Sequence, residues 1–121
     1  MKYMLLIYNR PDFATELSEE ERTALFAEVG ELMEELTESG ELVGGQALVH
    51  PAQAKTVRGR DGQPVVTDGP FLESKEQFGG YCAIDVETEE RALEIARRWP
   101  DPRFGGAIEL RAIMDEGVPE E

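Results

Sequence analysis

The order of elements in this chain predicts an α+β sandwich of the ferredoxin-like type: β-α-β, a β-hairpin insertion, then β-α-β. Three observations carry that prediction. An apolar first strand leads into a long helix with its own N-terminal cap. An Asp61-Gly62 turn separates two short β-prone runs in the middle of the chain. A second amphipathic helix then precedes a last strand in which Glu109 and Arg111 alternate with apolar residues. Two split β-α-β halves with right-handed crossovers put both helices on one face of an antiparallel sheet. With 121 residues, the chain is long enough for one domain with a real core.

Lys2 to Tyr8 is apolar on both alternating faces, with Met4, Leu6 and Tyr8 on one and Tyr3, Leu5 and Ile7 on the other. That pattern belongs to a central strand covered on both sides. Asn9-Arg10-Pro11-Asp12 breaks it, because proline cannot donate to the ladder. Ser18, with Glu21 three residues on, forms a capping box. Glu19, Glu20 and Glu21 favour the positive end of the helix dipole. Leu25, Phe26, Val29, Leu32, Met33 and Leu36 then recur at helical spacing, and Gly40 is placed to end the helix in a left-handed conformation.

Leu42 to Leu48 reads as the second strand, with Gly44-Gly45 marking a bulge or a close backbone approach, and His50-Pro51 ends it. Thr56-Val57-Arg58, Asp61-Gly62 and Val65-Val66-Thr67 make a hairpin. Tyr81 to Val86 is the next strand. Thr88 caps a helix whose Ala92, Leu93, Ala96 and Trp99 share a face, and Pro100 and Pro102 stop it. Ile108, Leu110, Ala112 and Met114 alternate with Glu109 and Arg111 in the last strand, which leaves it one wet face. Asp115 to Glu121 has too little apolar content to order itself, so residues 116–121 are expected to be a disordered acidic tail on a single 1–121 domain.

The formal charge is −14, from 26 acidic and 12 basic residues. No basic stripe is present to neutralise phosphates, which argues against nucleic acid or an anionic membrane as partner. The first strand begins within two residues of Met1, and no apolar run is long enough to cross a bilayer, so a cytoplasmic location is expected. Cys82 is the one cysteine and lies in an apolar strand, where a buried structural thiol is expected.

An uncovered sheet face raises a second expectation. Two helices cover one face, yet the first strand is apolar on both. Leaving five such side chains wet would forfeit about 7–15 kcal/mol, comparable to the net stability of a domain. A second copy packed sheet to sheet resolves this, so a homodimer is expected.

The candidate site is the irregular segment Thr67 to Tyr81, which crowds Asp68-Gly69-Pro70-Phe71, the cluster Glu73, Lys75 and Glu76, and the pair Gly79-Gly80 between two strands. Connections of this length and polarity are commonly binding or catalytic loops. Asp68, aimed by the Gly-Pro turn, is a candidate general base, or alternatively an Asx-turn residue bonded to nearby amides. His50 is the one histidine and the second candidate catalytic residue. Candidate ligand contacts are Arg10 as an anion anchor, Glu73, Lys75, Glu76 and Tyr81. One His and one Cys do not make a zinc site, and no calcium loop, phosphate-cradling glycine loop or dinucleotide fingerprint is present. No metal or cofactor is expected.

Met1 to Tyr8, Thr56-Val57-Arg58, Thr67 to Phe71, Glu73 to Glu76 and Gly79-Gly80-Tyr81 together resemble the YCII-related, DGPF-motif family of small bacterial proteins. The resemblance runs from the first strand to about Met114. It implies a ferredoxin-like fold that dimerises into an α+β barrel, a ligand cleft near the Asp68 loop, and a link to sigma-factor regulation. In the wider group, a His/Asp pair is the proposed active site and one relative is a dehydrochlorinase of a chlorinated aromatic diol. That histidine is expected in the first long helix, and here the Ser18–Ser39 stretch contains none. Asp68 matches the motif aspartate, whereas His50 stands elsewhere. Two functions therefore follow: a dimeric small-molecule-binding or regulatory protein, or a lyase- or hydrolase-type enzyme using Asp68 as base with His50, Lys75 or Glu76 assisting.

Overall fold

A computed structural model of the chain describes residues 1–114, so the acidic tail expected at 116–121 lies outside the described residues. Strands β1 (Lys2–Asn9), β2 (Leu42–Ala47), β5 (Gln77–Asp85) and β6 (Ala107–Ala112) form one sheet in the order β2-β5-β1-β6. All neighbouring pairs are antiparallel. Strands β3 (Lys55–Arg60) and β4 (Gln63–Asp68) make a separate hairpin. Because β1 and β2 both run against β5, they are parallel to each other and are joined through α2 (Glu19–Ser39). The second half repeats the pattern, with α3 (Glu89–Arg97) between β5 and β6. This is the ferredoxin-like arrangement that the element order predicts.

Local chemistry accounts for the element ends. Ser18 Oγ accepts from the Glu21 amide at 3.1 Å while Glu21 Oε1 accepts from the Ser18 amide at 2.9 Å, completing the capping box. Gly40, at φ +80°, closes α2 by donating to the carbonyls of Leu36 and Thr37. Thr88 Oγ1 accepts from the Arg91 amide at 3.1 Å and opens α3. Asp61 and Gly62 both take positive φ, the conformation that a two-residue hairpin turn needs.

The core lies between the sheet and α2 with α3. Tyr3, Leu5, Cys82 and Ile84 meet Leu32 and Leu36 of α2 and Ala92 and Ile95 of α3, with Trp99 closing one end. Leu5, Leu36, Ile84 and Ile95 are fully buried, each worth about 1.5–3 kcal/mol of transfer free energy. Met4, Leu6 and Tyr8 alternate onto the opposite face and are half-buried.

Several boundaries differ from the sequence prediction. Strand β5 starts at Gln77, four residues before the expected Tyr81, because Gln77 and Phe78 pair with Asn9 and Tyr8. The register jumps between Ile7 and Tyr8, leaving Gly79 as a bulge residue. A second bulge falls at Val43, between Leu42 and Gly44. The connection between β4 and β5 therefore shrinks to residues 69–76. The short helix α1 (Phe13–Glu16) and two 3-10 turns, Pro51–Gln53 and Asp101–Phe104, occupy stretches read as breaks, and β6 ends at Ala112 rather than Met114.

Candidate functional site

The turn after β4 is built by backbone bonds. Gly69 sits at φ +97°, where a side chain would be strained. Its amide donates to the Ala54 carbonyl at 2.8 Å, and its carbonyl accepts from Thr56 Oγ1 at 2.7 Å. Both bonds pin the turn to the start of β3. Pro70 then carries the chain outward, and the Phe71 ring lies under the Arg58 guanidinium, 5.1 Å from its centroid. Gln77 Nε2 donates to the carbonyls of Leu72 and Ser74 at 2.9 and 3.0 Å, tying down the far side of the loop.

Between this loop and the end of the sheet lies a cleft of about 970 Å³. Tyr8 and Phe78, edge to face at 5.7 Å, form one wall. Leu48, Phe71 and Leu72 are exposed apolar side chains that line it as well. Its polar groups are few: His50, Ser74, Glu76 and Gln77. Burial, and then the Glu109 carboxylate to which it donates at 3.1 Å, hold the Tyr8 hydroxyl above its ordinary pKa.

His50 is held at both ring nitrogens. Nδ1 accepts from the Ala52 amide at 3.0 Å, which places the proton on Nε2, and Nε2 donates to Asp12 Oδ1 at 3.1 Å. Sequence reading did not single out Asp12, because it lies 38 positions from His50 in a stretch that reads only as a strand break.

The other candidates are dispersed. Asp68 ends β4 opposite Lys55, whose Nζ donates to its carboxylate. Its side chain is 84% exposed, it is not bonded to its own backbone amides, and it does not line the cleft. Glu76 lines the cleft, whereas Glu73 and Lys75 do not. Glu73, Lys75 and Glu76 make no hydrogen bond or ion pair among the described residues. Arg10 donates to Glu16 Oε1 at 2.5 Å from Nη2 and 3.2 Å from Nε. It also lies over Gly105 at the cleft edge, where an added Cβ would stand 2.9 Å from Nη1. Tyr81 pairs with Leu6 on the sheet face away from the helices. The structure thus brings His50 and Glu76 to one cleft and leaves Asp68 outside it.

Cys82 is 1% exposed, and burial pushes its thiol up to about 11, so it is inert as a nucleophile. Among the described residues no three of His, Cys, Asp and Glu gather in a metal-binding arrangement. No helix among them is long and apolar enough to cross a membrane.

The model of the YCII-related domain matches residues 1–116. An uncharacterized protein of Rhizobium meliloti (strain 1021) is 34% identical over 97 residues, covering 80% of this chain and 78% of that protein.

Proposed function

The chain belongs to the YCII-related family, and we propose that it is a dimeric, cytoplasmic small-molecule-binding protein whose ligand occupies the cleft beside Phe71. The cleft itself carries the reading: about 970 Å³, walled by aromatic and aliphatic side chains, with four polar residues to orient a bound molecule. That composition is typical of ligand pockets. An aromatic or similarly flat apolar ligand with one hydrogen-bonding group suits it, the ring against Tyr8 and Phe78 and the polar group toward His50 or Glu76. A sigma factor would be the natural recipient of the binding signal.

Binding fits the site better than turnover. Both nitrogens of His50 are engaged, so a catalytic imidazole would first have to give up one of its bonds. Asp68, the base of the enzymatic alternative, is tied to Lys55 outside the cleft.

The homodimer rests on two apolar surfaces. One is the sheet face of Met4, Leu6 and Tyr8, which carries no helix among the described residues. The other is the hairpin pair Val57 and Val66, 64% and 63% exposed. Light scattering is expected to give a mass twice the 13.5 kDa of the chain; a mass of one chain would refute the dimer. For the cleft, thermal melts with phenol and benzoate are expected to show a higher Tm for the wild type and a lost effect in Phe71→Ala. An equal rise in both proteins, or none in either, would count against this cleft.

A further inference from the structure

A second groove, of about 390 Å³, opens between the first half of α2 and the β2–β5 side of the sheet, and its chemistry is different. It exists because of glycine. Toward the buried end of the sheet, Leu5 and Ile84 fill the space under the helices. At this end the floor of the groove includes Gly80, where a Cβ would stand 2.8 Å from the Gln46 carbonyl oxygen. The close approach of β2 forbids a side chain there, and no described residue fills the gap beneath Phe26 and Val29. Trp99 and Asp101 line the groove as well.

Asp101 is the buried charged residue of the described chain, at 6% exposure. Its Oδ2 accepts from Asn9 Nδ2. Among the described residues its carboxylate takes no other hydrogen bond and no cation pairs with it. No Lys, Arg or His lines the groove. A carboxylate so buried is normally matched by a cation or by several donors. Here an amide supplies one donor, and the groove is otherwise lined mainly by apolar and aromatic residues, with Gln46 and Tyr81 its other polar ones.

We propose that this groove binds a protonated amine carried on an apolar body about the size of a phenyl ring. The ammonium group pairs with Asp101, and the body lies along Phe26, Val29 and Trp99. Aromatic residues lining the same groove add to the attraction for a cation. This site stands independently of the cleft beside Phe71.

Trp99 is the one tryptophan of the chain and reports directly on the groove. The test is titration with 2-phenylethylamine, with 2-phenylethanol and 3-phenylpropionate as neutral and anionic counterparts, followed by the fluorescence of Trp99, which lines this groove and not the cleft beside Phe71. By that signal the amine is expected to bind at least about tenfold tighter than the alcohol, and the anion to give no response. Asp101→Asn is expected to erase that preference, Phe26→Ala to weaken all binding, and Phe71→Ala to leave it unchanged. Phe26 is 61% exposed, so its variant tests the groove even if Asp101→Asn fails to fold. Equal binding of amine and alcohol to the wild type, or no response to millimolar amine, would overturn the proposal and leave Asp101 and Asn9 as a structural clasp.

Discussion

Nε2 of His50 stands 3.1 Å from Oδ1 of Asp12, joining the turn after β2 to the turn after β1. The two strands are parallel, so their ends emerge on the same side of the sheet. The imidazole is thereby fixed at the cleft edge with a defined tautomer. The pair is open to solvent, with side chains 41% and 71% exposed, and such pairs contribute little to stability. Asp12→Asn is therefore expected to cost less than about 1 kcal/mol in urea melts. A loss well above that would mean the pair holds the two turns in place.

The Asp-Gly-Pro turn divides its roles between neighbours. Gly69 at φ +97° needs the absence of a Cβ, so Gly69→Ala is expected to destabilise by about 1–2 kcal/mol. Asp68 is 84% exposed, and Asp68→Asn is expected to stay within about 0.5 kcal/mol of wild type. Chemical denaturation of both variants checks the contrast; equal losses would assign Asp68 a structural part.

Acid stability centres on Glu41. Hydrogen bonding from Arg91, with Nε and Nη2 at 2.9 and 2.8 Å, holds its carboxyl down at about 2, against burial that acts the other way. A depressed folded pKa contributes stability above the unfolded value of 4.5, and that stability is lost as pH falls through about 2. Allowing for solvent screening, the contribution is about 1–2 kcal/mol. Glu41→Gln is expected to flatten the stability–pH curve between pH 4.5 and 2. An unchanged slope in that window would show that the pair does not carry it.

Glycine substitutions should separate by their surroundings. Gly30 lies in the middle of α2 with nothing within 4 Å of an added Cβ, so Gly30→Ala is expected to stabilise by about 0.5–1 kcal/mol. At Gly106, a Cβ would stand 2.6 Å from the Tyr8 carbonyl oxygen and 2.2 Å from Asn9 Oδ1. Gly106→Ala is expected to cost about 1–3 kcal/mol. Paired thermal melts decide; a stabilised Gly106→Ala would mean that β1 and the start of β6 yield easily.

What the sequence made legible was local. Ser18 and Glu21 are three residues apart, and Asp61 and Gly62 are adjacent, so their signals survive without knowledge of the fold. The Lys55–Asp68 pair was also within reach. A two-residue turn at Asp61-Gly62 sets Arg60 against Gln63, and the same register sets Lys55 against Asp68. His50 with Asp12 and Asn9 with Asp101 were not, because sheet topology alone brings their turns together. The start of β5 was hidden because the polar stretch Glu73 to Gln77 runs straight into it, while Gly79 forms a bulge and Gly80 lies close against β2.

The most direct measurement is a 1H–15N correlation spectrum of the wild-type protein during titration with phenol and benzoate. Small-molecule binding in the cleft predicts saturable shifts that cluster at Leu48, His50, Phe71, Gln77 and Phe78, and that vanish in Phe71→Ala. Shifts scattered over the surface, or none at millimolar concentration, would contradict it.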